Sequence, residues 1–168
     1  QNLEIFKNLF QALSLKNKKL KGITHDDITN ILKALLPMMN KWSTVDILKT
    51  MIDYSKCSDK QDIFFLETTI ELINKYPEII KYQLNFLIEE ISNKLQSLKK
   101  SVKSVAEICT EKLLECCDNK DLNPFLPEVI KAIKDMQYSN HAIEKLAGCI
   151  FVQNVEYPAL CVMLPILR

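Results

Sequence analysis

Lysine is the residue type whose spacing in this chain best suits binding chemistry, because two short stretches are crowded with it. The two groups of lysines are Lys16, Lys18, Lys19 and Lys21, and Lys94, Lys99, Lys100 and Lys103. Ammonium groups in turns between helices can neutralise phosphates, and such contacts are independent of base sequence and weaken as salt rises. The alternative is that these side chains only keep the surface solvated. The side chains predicted to contact phosphate are those of Lys16, Lys18, Lys19, Lys21, Lys99 and Lys100.

Residues for catalysis or for a cofactor are not arranged in any recognisable pattern. His25 follows a predicted helix cap and His141 lies in the first turn of a predicted helix, so both are expected to be ordinary surface or capping residues. Glycine occurs only at Gly22 and Gly148, which is too few for a phosphate-cradling loop. We therefore expect no catalytic residue and no cofactor site in these residues.

The six cysteines, Cys57, Cys109, Cys116, Cys117, Cys149 and Cys161, form no Cys-x-x-Cys pair, and neither histidine stands at ligand spacing from them. The adjacent Cys116 and Cys117 could bind a soft metal or become oxidised. Small apolar residues of helices in a reducing cytosol are the favoured interpretation. The prediction is reduced, metal-free thiols.

Trp42 is the only tryptophan of the chain and stands in the segment Asn40-Lys41-Trp42. Its indole could stack on a nucleobase while Lys41 holds a phosphate. The favoured expectation is different: Trp42 packs across a turn between two helices, because most lone aromatic residues serve a core.

Composition places the chain among all-helical proteins. It has 168 residues, 48% of them hydrophobic, and a net charge of only +1, so no global field draws it to nucleic acid or membrane. Strand-rich folds need more glycine at their turns than this chain has. The longest uncharged stretch, 157–167, is too short to span a bilayer, and no signal peptide opens the chain. We expect a cytoplasmic piece of a larger protein without a membrane segment.

Apolar residues recur at helical spacing along almost the whole chain and predict nine helices. Hydroxyl residues followed by acids or amides mark three helix starts, at Thr24, Ser43 and Ser58. Pro77 suits the first turn of a fifth helix over 78–95, and Ser101 is expected to cap a sixth. The last three helices are predicted to begin at Asn123, Ser139 and Tyr157.

Pairing these helices predicts a repeating architecture. Pro127 and Pro165 lie in similar Leu-Pro helices 38 residues apart, which is within the range of HEAT-type repeats. The segment from Val102 to Ala106 fits the second helix of such a repeat, with Lys103 expected to bond to a neighbouring repeat. The fold prediction is all-α, a right-handed α-solenoid of antiparallel helix pairs in one domain, 1–168. The pairs are predicted at 1–40, 44–75, 78–117, 123–153 and, truncated, 157–168.

One run of residues is more specific than this periodicity. It reads Asp118-Asn119-Lys120-Asp121, then Pro124-Phe125-Leu126-Pro127, and later Phe151-Val152, Pro158-Ala159-Leu160 and Met163-Leu164-Pro165-Ile166-Leu167. The run resembles the amino-terminal HEAT-repeat domain of translation elongation factor 3, a ribosome-associated ATPase. The resemblance is firmest over 97–168. A large ribosome-associated HEAT protein that activates the amino-acid-starvation kinase shares part of it but lacks the Asp-Asn-Lys-Asp turn.

That resemblance implies a role in translation. The family couples ATP hydrolysis in two cassettes to release of tRNA from the ribosomal exit site, and its helical arm contacts the ribosome. The expected partners are ribosomal RNA and ribosomal proteins, with other domains of the same chain as further partners. ATP and magnesium are expected only in cassettes outside these residues. The alternative hypothesis is a generic protein-binding HEAT scaffold, such as the regulator of the starvation kinase.

Overall fold

The computed structural model describes residues 2–13, 23–54 and 58–136, and within these residues the chain is all-α, with no strand. The α-helices are α1 (Asn2–Ala12), α2 (His25–Leu35), α3 (Ser43–Tyr54), α4 (Asp59–Lys75), α5 (Pro77–Lys81), α6 (Leu84–Leu95), α7 (Lys100–Cys116), α8 (Asn119–Leu122) and α9 (Leu126–Asp135). Short 3-10 turns at Leu36–Met38 and Asn123–Phe125 extend α2 and connect α8 to α9. The all-α prediction is confirmed, while the predicted helices at Ser139 and Tyr157 lie outside the described residues.

The chain divides into two compact units, Gln1–Ile79 and Ile80–Arg168. In the first unit α1 packs against α2 and α3, and α3 packs against α4. Aromatic rings lie at the centre of the core. The ring centroids of Phe6 and Phe10 lie 6.2 Å apart, and those of Phe10 and Phe64 lie 5.9 Å apart. The buried Gln61 side chain donates from its Nε2 to the Phe10 carbonyl oxygen at 3.3 Å, which satisfies a polar group inside the core.

In the second unit α6 is the central helix and packs against both α7 and α9. Its inward residues recur at the spacing predicted from the sequence, and Leu84, Leu87, Ile88 and Ile91 are all buried. On α7 the buried Thr110 bonds through its hydroxyl to the Ala106 carbonyl oxygen at 2.8 Å. A threonine in a helix interior can satisfy its hydroxyl in this way.

Two of the predicted helix starts are confirmed in detail. Thr24 forms a full capping box with Asp27: the Asp27 amide donates to the Thr24 hydroxyl oxygen at 3.2 Å, and the Thr24 amide donates to Asp27 Oδ2 at 2.8 Å. Ser58 caps α4, because its hydroxyl oxygen accepts from the Gln61 amide at 3.3 Å. Both satisfy amide groups that the helix cannot bond internally.

Four other helix boundaries differ from the prediction, and one of them is the helix expected to begin at Asn123, which begins as α9 at Leu126 after the 3-10 turn Asn123–Phe125. Asn40 rather than Ser43 bonds across the start of α3, and Ser43 lies inside the helix. The single helix expected over 78–95 is divided into α5 and α6 by a turn in which the Gln83 amide donates to the Ile80 carbonyl oxygen at 2.8 Å. α7 begins one residue before Ser101, with its N-cap at Lys99. A hydroxyl near a helix start is therefore not always the residue that caps it.

Candidate nucleic-acid interface

The connection between α6 and α7 carries two of the predicted phosphate-binding residues. Lys99 and Lys100 are both exposed at the start of α7, beside the fully exposed Leu98. The Lys99 amide donates to the hydroxyl oxygen of Ser97 at 3.2 Å, which shapes the turn. Lys100 has no ion-pair partner among the described residues. The ammonium group of Lys100 is therefore available to an external anion.

Helix electrostatics show that these lysines do not serve the stability of α7. The amino end of a helix carries partial positive charge, so acids stabilise it and cations do not. The first turn of α7 contains no acid and begins with Lys100, and Lys99 makes no side-chain capping bond. Positive charge is thus concentrated at a helix end where the helix dipole does not favour it.

The other lysines of the two predicted groups fall into different environments. Lys94 is 9% exposed and Lys103 is half-buried, so neither stands out into solvent as Lys99 and Lys100 do. The bond expected between Lys103 and a neighbouring repeat stays a prediction. The first group, Lys16, Lys18, Lys19 and Lys21, lies outside the described residues, and its role in binding also stays a prediction.

The Asp-Asn-Lys-Asp turn has a structural role. The Asp118 amide donates to Asp121 Oδ2 at 2.9 Å, and Lys81 Nζ lies 3.2 Å from Oδ2 of Asp118 and of Asp121. One lysine at the end of α5 thereby holds the start of α8. Asp118 and Asp121, two residues of the motif that carries the sequence resemblance, are thus engaged with the protein itself.

The electrostatics of this turn agree with its geometry. Partial burial of Asp121 alone would raise its pKa, but the Asp118 amide and the Lys81 ammonium outweigh that effect and lower it below its usual value. Hydrogen bonds to Asp118 and Asp121 raise the pKa of Lys81 above its usual value. Asp121 and Lys81 are thus both stabilised in their charged forms.

Trp42 is in a different place from the one expected. The residue is 75% exposed, so the prediction that it packs across the turn between helices is wrong. Asn40 Oδ1 accepts from the amide of Ser43 at 3.0 Å and forms a tight turn that projects the two residues between them into solvent. The inward positions beside the turn are already filled by Met39 and Thr44.

Lys41 is positioned over the indole of this exposed tryptophan. Its Nζ lies 5.0 Å from the centroid of the Trp42 ring, within cation–π range. In the part of the chain that the structure describes, no acidic side chain pairs with Lys41. An exposed aromatic ring and an uncompensated cation therefore stand together at the turn between α2 and α3. The sequence feature that pointed to this exposed ring and cation was the Asn40-Lys41-Trp42 segment.

Cys109 and Cys117 are poor nucleophiles. Burial raises the pKa of the Cys109 thiol far above its usual range, and the Cys116 side chain together with burial does the same for Cys117. The sulfur atoms of Cys116 and Cys117 lie 3.8 Å apart. Residues 2–13, 23–54 and 58–136 contain no group of three or more side chains able to hold a metal ion. Reduced thiols throughout the chain stay a prediction.

The fold and these surfaces define an all-helical protein with exposed cationic turns, and sequence comparison identifies its relatives. Over 153 residues, 91% of this chain, it is 27% identical to elongation factor 3 of Eremothecium gossypii. Over 90% of the chain it is 24% identical to elongation factor 3A of Saccharomyces cerevisiae, and over 80% it is 28% identical to elongation factor 3 of Phytophthora infestans. The resemblance to elongation factor 3 is thereby confirmed.

The extent of these matches matters as much as their name. The chain spans about 14% of the length of the first two relatives and 13% of the third. A match over 153 residues reaches well beyond the stretch 97–168 in which the sequence motifs are firmest. No family model and no solved structure matches the chain. The likeness is therefore to one part of elongation factor 3, and the HEAT character of that part stays a prediction.

Proposed function

We propose that this chain is a ribosome-docking helical module of a protein like translation elongation factor 3, one that promotes elongation and the release of exit-site tRNA. The observation that carries the proposal is similarity to proteins named elongation factor 3 over 80 to 97% of the chain. The relatives named above carry the elongation-factor name, and they favour this function over a generic protein-binding scaffold.

Docking by this module would depend on local charge. With a net charge of +1 the chain has no strong overall field, so attraction to ribosomal RNA has to come from concentrated lysines. Lys99 and Lys100 are exposed at the amino end of α7, where the helix dipole does not favour positive charge, and Lys16, Lys18, Lys19 and Lys21 are crowded into one segment of sequence. Each phosphate that such a lysine neutralises releases counterions, which makes the affinity fall with rising salt.

The catalytic step of elongation factor 3 would belong to another part of the parent protein. These 168 residues contain no Gly-x-x-x-x-Gly-Lys-Ser/Thr loop, so the proposed module docks while ATP and magnesium bind elsewhere. Within the described ranges no helix is long and apolar enough to cross a membrane. We place the module in the cytoplasm, with ribosomal RNA, ribosomal proteins and other domains of its own chain as partners.

Co-sedimentation with purified ribosomes across a salt series tests the proposal. A variant with alanine at Lys16, Lys18, Lys19 and Lys21 should bind more weakly. Its log affinity should also fall less steeply with log salt, by about 0.7 to 0.9 for each phosphate that is no longer neutralised. Lys99→Ala with Lys100→Ala should act in the same direction. The Lys99 and Lys100 variant should keep the wild-type helical circular dichroism, because both side chains are exposed, and the same measurement checks the fold of the other variant.

A control of equal charge separates specific docking from a general loss of positive charge. Alanine at four lysines outside the predicted site removes the same charge, at Lys33, Lys60, Lys112 and Lys120. Lys33, Lys60 and Lys112 are paired with acids of the chain, so this variant should bind ribosomes nearly as the wild type does. Equal weakening by the two sets of changes would contradict a role for the predicted lysines. Binding by the wild type that ignores salt would contradict the proposal as a whole.

A further inference from the structure

We propose that the turn Asn40-Lys41-Trp42 binds one unpaired nucleotide of single-stranded RNA, with the base stacked on the Trp42 indole and the phosphate held by Lys41. This site would add a nucleotide-binding contact to the proposed function. The inference rests on that function only for the assumption that the RNA is ribosomal. It assigns a site to a turn in the first unit that lies apart in sequence from every lysine predicted to bind phosphate.

The exposure of Trp42 is the first observation behind this site. A tryptophan buries a large apolar area when it serves a core, and here three quarters of the residue remains in solvent. Met38, on the other side of the turn, is 69% exposed as well. The fold does not require either side chain in that position, because Met39, Thr44 and Ile47 occupy the inward positions beside it.

The geometry of Lys41 is the second observation. Its ammonium lies 5.0 Å from the centroid of the indole ring, and 75% of the Trp42 residue is exposed to solvent. No acid among the described side chains neutralises this ammonium. A stacking platform beside an uncompensated cation is the combination with which proteins bind single-stranded nucleic acid, since the base meets the ring and the phosphate meets the charge.

A cavity lies beside the turn that carries Lys41 and Trp42. It has a volume of about 300 Å³ and is lined on both sides of the turn, by Met38, Met39, Asn40 and Ser43 together with Asn2 and Leu3 of α1. This volume is at the lower end of the range for small-molecule sites. Neither Lys41 nor Trp42 lines this cavity, which adjoins the proposed stacking site through Asn40 and Ser43.

The same features fit a protein partner less well. Exposed tryptophan and methionine are common at protein interfaces, where they become buried. Burying this turn in a protein interface would also bury Lys41 next to the ring, and an unpaired buried cation is strongly unfavourable. RNA supplies the counter-charge and the stacking surface in one repeating unit. A paired duplex is also disfavoured, because its bases are stacked on each other and cannot reach the ring.

The fluorescence of Trp42 tests the proposal directly, because it is the only tryptophan in the sequence. We expect a single-stranded oligouridylate to quench the emission of the 168-residue chain saturably, since the stacked base contacts the indole. Heparin, a polyanion without bases, should bind with little quenching. An oligouridylate that binds without quenching, or heparin that quenches equally, would overturn the proposal.

The contribution of each residue to the site is measured as the affinity of variants for a labelled oligouridylate, followed by fluorescence anisotropy. Trp42→Leu should weaken binding about tenfold, from the usual cost of losing one base–aromatic stack, and Trp42→Phe should retain most of the affinity. Lys41→Met should weaken binding and reduce the salt slope. Tyr82→Leu is the control, because Tyr82 is an 84% exposed aromatic that also follows a lysine, Lys81, whose charge is already paired. Equal losses in the Trp42→Leu and Tyr82→Leu variants would contradict the site.

The outcomes distinguish this inference from the proposed function. Salt-dependent ribosome binding without Trp42 quenching would overturn the nucleotide site and leave ribosome docking intact. Quenching and a Trp42→Leu defect without ribosome binding would support the site and contradict docking. If Trp42→Leu weakens binding to ribosomes but not to the oligouridylate, the turn contacts a ribosomal protein, which again overturns the proposal.

Discussion

Two turns of this molecule contain a lysine followed by an exposed aromatic residue, and they are used in opposite ways. In the first unit, Lys41 lies over the ring of Trp42 and has no acidic partner among the described residues. In the second unit, Lys81 reaches Asp118 and Asp121, and Tyr82 is left in solvent beside it. The charge of Lys41 is therefore available for binding, whereas the charge of Lys81 is paired within the fold.

The difference comes from residues distant in sequence. Asp118 lies 37 positions after Lys81, at the start of α8, and folding brings its carboxylate to the lysine. No described acid occupies the equivalent place near Lys41. An exposed aromatic residue is therefore informative about binding only when the pairing of its neighbouring charge is also known.

Removal of Asp121 should give the largest change in stability. Asp121→Ala removes the acceptor for the Asp118 amide and one partner of Lys81, and we expect the free energy of unfolding to fall by about 1–2 kcal/mol. Urea unfolding, monitored by circular dichroism, measures this free energy. Asp46→Ala, in the exposed first turn of α3, should cost clearly less. Equal losses would show that the turn around Asp121 is not held as described.

Methionine in place of Lys81 should change stability more than methionine in place of Lys41. Lys81→Met should lower the free energy of unfolding by about 0.5–1 kcal/mol, because a partly exposed lysine with two carboxylate partners is worth about that much. Lys41→Met should leave it within about 0.5 kcal/mol of the wild type, as for most surface substitutions. Thermal and urea unfolding of the two variants are the measurements. A larger loss for Lys41→Met than for Lys81→Met would reverse the comparison.

Acid should reduce the stability contributed by the second turn. The pKa of Asp121 is lowered in the folded state, so this carboxylate adds stability above its unfolded-state pKa and loses it as pH falls through the folded-state value. Wild type and Asp121→Asn should therefore differ in free energy of unfolding at pH 7, and the difference should begin to shrink as the pH falls below about 4. A difference that is constant from about pH 7 to about pH 3 would contradict the ionic role of Asp121.

The smallest expected effect is spectroscopic. Since Trp42 is three quarters exposed, acrylamide should quench its emission almost as efficiently as it quenches a free indole, and urea unfolding should change that efficiency little. Lys41→Met should alter the emission slightly, because a cation leaves the face of the ring. Strong protection of Trp42 in the folded chain would show that the residue is covered.

Local signals in the sequence predicted much of the helical framework. The Thr24–Asp27 box, the Ser58 cap, the break at Pro77 and the buried face of α6 all depend on residues within one or two turns of each other. The cap at Asn40 was missed because Ser43 is an equally good capping type three positions later, and only the fold decides between them.

The site was less predictable than the framework, for a physical reason. Whether Trp42 is covered depends on how closely α2 and α3 approach each other, and whether Lys81 is free depends on residues at 118 and 121. Neither follows from periodicity. The resemblance to elongation factor 3 was recognisable from the Asp118–Asp121 turn, in which both aspartates bond within the protein itself.

Ribosome affinity at one fixed, near-physiological salt concentration compares the two turns most directly, for wild type, Trp42→Leu and Tyr82→Leu. All three chains should retain their fold, because both side chains are largely exposed. We predict that Trp42→Leu binds ribosomes several-fold more weakly, whereas Tyr82→Leu binds as the wild type does, since stacking a base on an aromatic ring is worth about 1–3 kcal/mol. Equal affinity of all three chains, or a defect confined to Tyr82→Leu, would contradict the account.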